Sequence, residues 1–533
     1  MTQKRLLAVF TALLMLMTLV VGRLYLIACN RRYAQTAEDQ TITTLELGSG
    51  RGNFYDTRGL PLTGSSCQLY ALSIPGESSY DRLFQFADPA GQAMLYQKRN
   101  SSRPFLVPVR QDLTGQGIFT CSVPRRWLPS PIAPHLLGYL DGEGSGAAGL
   151  EAACDALLSE SGPRQELRCV TTAQGQLLRG QPPLVTGEPG TGQGVRLTLD
   201  RRIQRLCEGT AEAAMTRGCI LVLDTATAGV RACVSLPAFD PNDLQKSIRA
   251  DDTSLLNRAL YPFNVGSVFK PVLAAAALER GWDWYSVDCE GYVDLNHHIY
   301  RCARSRAHGR MNLRGALEKS CNCFFIELAL DLGAEPVWQM ARNFGFGSSQ
   351  AVAGELRSRP GTLPDERELE DLGQLASIGF GQGRLTATPL QIAAMMNTIA
   401  RGGVYTEPGF VEGAVREADG VLLRRLTEPR SRRILRTDTA AALQKMLISV
   451  VEEGIGREAR PSEGGAGGKT GTAQTGQYNE EGEEKMNFWF AGFWPAERPR
   501  YTIVVLQDGQ TAPAVSSAAV FAQLCTGLSY LED

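Results

Sequence analysis

An uncharged, largely apolar run covers residues 6–21, between Lys4 and Arg5 on one side and Gly22, Arg23 and Leu24-Tyr25-Leu26-Ile27 on the other. Crossing a bilayer takes ~20 apolar residues, so the run suffices if the Arg23 side chain reaches the far interface. It predicts a cytoplasmic tip and uncleaved membrane anchor over residues 1–30. A removable leader gives the same pattern, and Leu26-Ile27-Ala28-Cys29 has the form of a lipoprotein processing box. Charge does not orient the helix, because Arg23, Arg31 and Arg32 balance Lys4 and Arg5. No second long apolar run follows, which places everything after residue 30 on one side of the membrane.

Over residues 31–190 short apolar runs, such as 68–73 and 105–109, alternate with turn residues, predicting a strand-rich region. A Gly/Pro/Thr cluster at 186–194 reads as a linker. Beyond it the pattern predicts a strand at 195–199 and a helix capped by Asp200. Two apolar runs, 219–224 and 230–235, enclose a polar turn and predict a hairpin. Helices are expected from Ser267 to a terminating Gly281, over 313–332 and over 389–400. Strand character returns at 467–474, 487–494 and 501–507, before a last helix from about Ser516. Strands at both ends with helices between them predict an α+β domain whose sheet is closed by its own termini.

Composition narrows the class. With 43% hydrophobic and 21% charged residues and a net charge of −2, the chain is neither collagen-like nor largely disordered. It also lacks the basic excess a nucleic-acid binder needs. Only eight of its 54 basic residues are lysines, so some of those lysines should have reasons that arginine cannot meet. Thirteen cysteines are an odd number and too sparse for a disulfide scaffold. The four histidines (His135, His297, His298, His308) have no paired ligand spacing, so neither metal nor cofactor is expected.

Ser267-Val-Phe-Lys270 places a hydroxyl and an amine at i, i+3, on one face of a helix start. Free backbone N–H groups and the positive dipole end there favour developing oxyanion charge. A lysine serves as base only when its pKa is depressed, by burial or by a second nearby cation. Taken alone, the tetrad equally describes a capping serine beside a surface lysine. Ser320-Cys-Asn322 alone is a polar turn, and Lys469-Thr-Gly471-Thr472 alone is a glycine-flanked edge strand. All three in this order, with two of eight lysines, form the S-x-x-K, S-x-N and K-T-G set of penicillin-recognising serine enzymes.

On these motifs the chain resembles class B, monofunctional penicillin-binding proteins, the peptidoglycan D,D-transpeptidases. Arg51-Gly-Asn-Phe-Tyr-Asp-Thr-Arg-Gly59, His135-Leu-Leu-Gly-Tyr139 and Gly149-Leu-Glu151 through Asp155 resemble the family's N-terminal boxes. Leu223-Asp224, Phe239-Asp-Pro-Asn242, Gly379-Phe-Gly-Gln-Gly383 and Thr388-Pro-Leu-Gln391 resemble segments around the catalytic motifs. Val265-Gly266 stands where Pro-Gly is usual, and Thr57 where an arginine is usual.

The resemblance implies a penicillin-binding, serine β-lactamase-like transpeptidase fold over 191–533, an antiparallel sheet sandwiched by helices. It also implies a pedestal or dimerisation-type domain over 31–190, with the catalytic domain extracytoplasmic. Ser267 would attack a D-Ala-D-Ala stem peptide, Lys270 would take its proton, Ser320 would relay a proton and Asn322 would orient. Lys469, Thr470, Gly471 and Thr472 would bind the substrate carboxylate end. Partners implied are stem peptides, β-lactams and a membrane glycosyltransferase of the elongation, division or sporulation machinery. Cys289 and Cys302 are placed like a redox-sensitive pair in a sporulation-type member, or are simply two buried thiols. Other readings are a β-lactamase or D-Ala-D-Ala carboxypeptidase, for which the anchor and long N-terminal region are unneeded, and a non-catalytic scaffold, which intact motifs disfavour. A bifunctional enzyme would need more than this N-terminal region offers.

Overall fold

The computed structural model describes residues 2–29, 42–74, 79–172, 176–178, 181–250 and 253–532; Arg31 and Arg32 lie outside them. Helix α1 (Thr2–Ala28) takes up the whole apolar run. Its Gln3–Ala28 portion has a mean hydropathy of 2.2, is long and apolar enough to cross a bilayer, and buries none of its most apolar window. Chain contacts define two compact units. The smaller comprises Met1–Arg51, Gly64–Arg126 and Gly162–Thr191; the larger comprises Gly52–Thr63, Trp127–Ser161 and Gly192–Asp533.

In the smaller unit Ser66–Ser73 is the middle of three antiparallel strands, flanked by Phe105–Val109 and Thr120–Arg125. Its apolar side chains meet those of helices Ser79–Phe86 and Pro89–Gln97 in a core of Ala71, Leu83, Leu95 and Val107. A second sheet joins Ile42–Ser49, Arg164–Val170 and Leu184–Glu188. The last strand uses the start of the segment expected to be a linker. Val185 and Thr186 are strand formers and pair with Leu167 and Glu166, so pairing overrides the local glycine signal.

The larger unit carries the chemistry. Its sheet consists of β1 (Gly218–Asp224), β2 (Val230–Leu236), β3 (Gly467–Tyr478), β4 (Glu484–Trp494) and β5 (Tyr501–Gln510), in the antiparallel order β2-β1-β5-β4-β3. The early hairpin and the C-terminal strands therefore close one sheet, as the pattern predicted. Alternation shows in the burial: Ile220 and Val222 pack to one face with Ile503 and Val505, while Leu221 and Leu223 pack to the other with Val504 and Leu506. Helices α2 (Arg201–Ala214) and α8 (Ser517–Glu532) contribute Ile203, Phe521 and Leu524 to the first face. On the second lies α7 (Pro389–Ala400), begun by a Thr388–Gln391 capping box. The first N-terminal box also belongs here: Phe54 and Tyr55 pair in parallel with Val195 and Arg196.

Two predicted helices differ in ways that matter for the site. The Ser267 helix begins as a 3-10 turn, Gly266–Phe269, and becomes α-helical only in α3 (Lys270–Glu279), where Pro271 fits the first turn. The helix expected over 313–332 is broken into α4 (Leu313–Glu318) and α5 (Asn322–Leu332). Ser320 takes a left-handed φ of 52°, which no helix interior accommodates, so the chain reverses there. Helix α6 (Leu372–Gly379) packs against α5 through a shared apolar core.

Candidate active site

Helix α3 is buried along its whole length, from Lys270 to Leu278. Its apolar run therefore forms a central core helix, and Lys270 is the polar exception at its start. Ser267 lies one 3-10 turn earlier and is half-buried. The Lys270 Nζ donates to the Ser320 carbonyl at 2.8 Å, the Ser320 hydroxyl at 3.2 Å and the Asn322 Oδ1 at 2.8 Å. The Asn322 Nδ2 in turn donates to the Arg301 carbonyl at 3.1 Å, which fixes the amide so that its oxygen faces the lysine.

The third motif arrives from the sheet. On β3 Lys469 is fully buried; its Nζ donates to the Ser320 hydroxyl at 2.9 Å and to the Thr470 carbonyl at 3.1 Å. Thr470 is half-buried and Thr472 exposed along the same strand, which is the sheet's edge. Two glycines let this edge approach the Ser267 turn. A Cβ on Gly471 would sit 2.9 Å from Val268 Cγ1 and 3.0 Å from the Val265 carbonyl. A Cβ on Gly266, whose φ is 59°, would sit 2.6 Å from the Thr472 carbonyl. The Gly266 N–H also donates to the Gly381 carbonyl at 2.9 Å, bringing the 379–383 segment against the same turn.

The eight expected site residues thus lie on three elements: Lys270 and Lys469 meet at the Ser320 hydroxyl, Asn322 joins them through Lys270, and the strand carrying Thr470, Gly471 and Thr472 lies against the Ser267 turn. Burial pushes the Lys270 amine down to about 7, with the thiols of Cys321, Cys302 and Cys323 pulling weakly the other way. Lys469 is held well below the usual lysine range, by burial first and by the Lys270 charge second. Two amines sharing one hydroxyl in a dry pocket disfavour both being protonated. One neutral amine and one cation is the arrangement a lysine base requires.

Sequence reasoning missed two neighbouring features. Arg258 is wholly buried, and its Nε donates to Asp508 Oδ1 at 2.9 Å while Arg217 Nε meets Oδ2 at 2.7 Å. This pair ties the segment leading to Ser267 onto β5, and no local pattern signals it. The second is a thiol cluster behind the S-x-N turn, of which the sequence singled out only the Cys289 and Cys302 pair. Cys302 Sγ lies 3.8 Å from Cys289 Sγ, 3.5 Å from Cys321 Sγ and 3.4 Å from Cys323 Sγ, and Cys289 Sγ lies 3.5 Å from His308 Nδ1. All of these cysteines are free thiols. Hydrogen bonds from Cys321 and Cys323 hold the Cys302 thiol below its ordinary range. Among the described residues, Cys289, Cys302, His308 and Cys321 are a group whose side chains could hold a metal ion.

The family model described as the penicillin binding protein transpeptidase domain matches residues 218–526, more than half of the chain. Over 513 residues the chain is 26% identical to the probable peptidoglycan D,D-transpeptidase PenA of Neisseria gonorrhoeae, covering 90% of this chain and 83% of that protein. It is 28% identical over 390 residues to stage V sporulation protein D of Bacillus subtilis, covering 70% and 58% of the two chains. Among solved structures, one described as a peptidoglycan synthase complex coordinating polymerization and crosslinking aligns with a TM-score of 0.70 at 25% identity, over 99% of this chain and 98% of that one. Penicillin-binding protein 3 of Mycobacterium tuberculosis, complexed with aztreonam, shares the fold with a TM-score of 0.65 at 24% identity, over 92% and 97%. Sheet, motif order and matched length agree: the chain belongs to the penicillin-binding protein transpeptidase family, as a class B peptidoglycan D,D-transpeptidase.

Proposed function

We propose that Ser267 is the nucleophile of an acyl-transfer reaction that cross-links stem peptides ending in D-Ala-D-Ala. The observation that carries this reading is the convergence of two buried amines, Lys270 and Lys469, on the Ser320 hydroxyl at 3.2 and 2.9 Å. Neutral Lys270 takes the Ser267 proton as the hydroxyl oxygen bonds to the penultimate D-Ala carbonyl carbon. Negative charge then moves to the carbonyl oxygen, which the backbone N–H groups of Ser267 and Thr472 stabilise. The peptide C–N bond breaks as the Ser320 hydroxyl passes a proton to the leaving D-Ala nitrogen and regains one from the lysines. An amine of a neighbouring stem peptide attacks the resulting ester, displacing Ser267 and returning its proton.

Lys469, with Thr470 and Thr472, receives the substrate carboxylate, whose negative charge favours the protonated form of the buried amine and offsets the burial that lowers its pKa; Gly471 keeps the strand close enough to do so. The open edge of β3 suits an extended peptide, which would add as a further strand. β-Lactams present the same carbonyl and carboxylate and would leave Ser267 acylated. In this reading α1 holds the enzyme in the cell membrane, the catalytic unit is extracytoplasmic, residues 31–190 serve as the pedestal, and a membrane glycan polymerase supplies the strands. Labelled penicillin tests the assignment: it should attach once per chain and be lost in Ser267→Ala. Rapid hydrolysis of the antibiotic would instead mark a β-lactamase.

A further inference from the structure

We infer that Cys289, Cys302, His308 and Cys321 form a closed, structural zinc site that fixes the S-x-N turn from behind. Their ligand atoms all lie within 4.8 Å of one another, and three of the four residues are buried. A tetrahedral zinc with Zn–S bonds of about 2.3 Å and Zn–N bonds of about 2.0 Å places sulfurs about 3.8 Å apart, and a sulfur and nitrogen about 3.5 Å apart. The separations are 3.8 Å for Cys289–Cys302, 3.5 Å for Cys302–Cys321 and 3.5 Å for Cys289–His308. Two ligand sulfurs, those of Cys289 and Cys321, lie 3.8 Å or less from Cys302 Sγ, and Cys323 Sγ stands 3.4 Å away beside the group and outside it. That is the arrangement of a shared centre rather than of one pair.

Rigid backbone presents each ligand. Cys289 ends the strand Ser286–Cys289, whose partner strand Gly309–Asn312 starts one residue after His308. The His308 N–H donates to the Cys289 carbonyl at 3.1 Å and the Cys302 N–H to the Gly291 carbonyl at 3.0 Å. Cys321 is the N-cap of α5. Backbone N–H groups at that helix start point at the sulfurs: Phe324 N–H donates to Cys321 Sγ at 3.4 Å and Cys323 N–H to Cys302 Sγ at 3.5 Å. Such donors and the helix dipole favour the thiolate form that a metal binds. Each cysteine releases its proton to solvent as the metal enters, with no redox change.

The consequence for the transpeptidase lies in adjacency. Cys321 stands between Ser320 and Asn322, and Arg301, whose carbonyl fixes the Asn322 amide, precedes Cys302. Ser320 holds a left-handed φ of 52°, a conformation that persists only when its surroundings impose it. An ion bound at Cys321 and Cys302 imposes it from both sides of Asn322.

The test uses the full chain, purified in detergent with a non-thiol reductant and without chelator. Elemental analysis should find one zinc per chain. After chelator stripping, zinc should restore the lost thermal stability and magnesium should not. Cobalt(II) titration of the stripped chain should saturate at one equivalent, with thiolate-to-cobalt absorption and intense tetrahedral visible bands. His308→Ala should weaken binding by more than the ~10–100-fold that loss of an outer-shell partner costs, and His308→Cys should restore it with stronger charge-transfer absorption. These readouts are independent of penicillin acylation, so they stand or fall separately from the Ser267 assignment. Absence of stoichiometric metal, a cobalt spectrum unchanged in the Cys289→Ser/Cys302→Ser double variant, or a Cys289–Cys302 disulfide mapped in the native chain would each overturn the inference. Should the variants fail to fold, the native chain's zinc content and cobalt spectrum decide.

Discussion

At the scale of single residues, the account rests on where two lysines went. Among the described residues Lys270 and Lys469 are the only buried lysines. With its amine pushed down to about 7, Lys270 is protonated below that pH and able to accept a proton above it. Penicillin acylation should therefore rise as pH passes through about 7 and then level off. An unfolded lysine titrates near 10.4, so the unfolded chain binds more protons between about 7 and 10 and stability rises with pH across that window. Below it the buried amine costs on the order of 5 kcal/mol. Lys270→Met should thus lower the acylation rate ~10²–10⁴-fold without lowering the melting temperature at pH 7, and an unaltered rate would remove Lys270 as the base. Asp508 makes the opposite case. Removing it leaves the Arg258 guanidinium buried and uncompensated, so Asp508→Ala should lose about 3–5 kcal/mol of stability, read by chemical denaturation.

Elements decide how those residues meet. The chain's hydrophobic pattern located the β1–β2 hairpin, α7 and the three C-terminal strands, and the spacing of polar residues located the three motifs, because each is a local signal of period or spacing. It did not show that Ser320 interrupts a helix: the apolar periodicity continues through the break, and only the left-handed backbone needed to aim Ser320 at both lysines ends it. Nor could it show the whole thiol cluster, whose members stand 13 and 19 residues apart, at a strand end, just after another strand and at a helix cap. The assignments of Ser267, Lys270, Ser320, Asn322 and the Lys469–Thr472 strand came from motif order and the family resemblance, and the fold brings the amines of Lys270 and Lys469 to one hydroxyl, that of Ser320. Close approach of β3 to the Ser267 turn depends on glycine. Gly471→Ala would place a methyl 2.9 Å from Val268 Cγ1. Its acylation rate should drop tenfold or more while the circular dichroism spectrum stays native; a full rate would mean that the strand has room to spare.

For the whole molecule, α1 stands apart in its chemistry. Its apolar side chains are exposed and none in its most apolar window is buried, a state water does not tolerate over a helix of this length. The full chain should fractionate with membranes and need detergent for extraction, and deletion of residues 2–29 should move it to the soluble fraction with acylation intact. The larger unit has a sheet closed by strands from both ends of its sequence and two apolar faces covered by helices. Such long-range pairing holds the Ser267 turn, the S-x-N turn and the K-T-G strand on a rigid scaffold.

Mass spectrometry of the penicillin-treated full chain locates the nucleophile. The account predicts one stable penicilloyl adduct per chain, on the peptide containing Ser267, absent from Ser267→Ala. An adduct on another residue, or one that survives in Ser267→Ala, would contradict it.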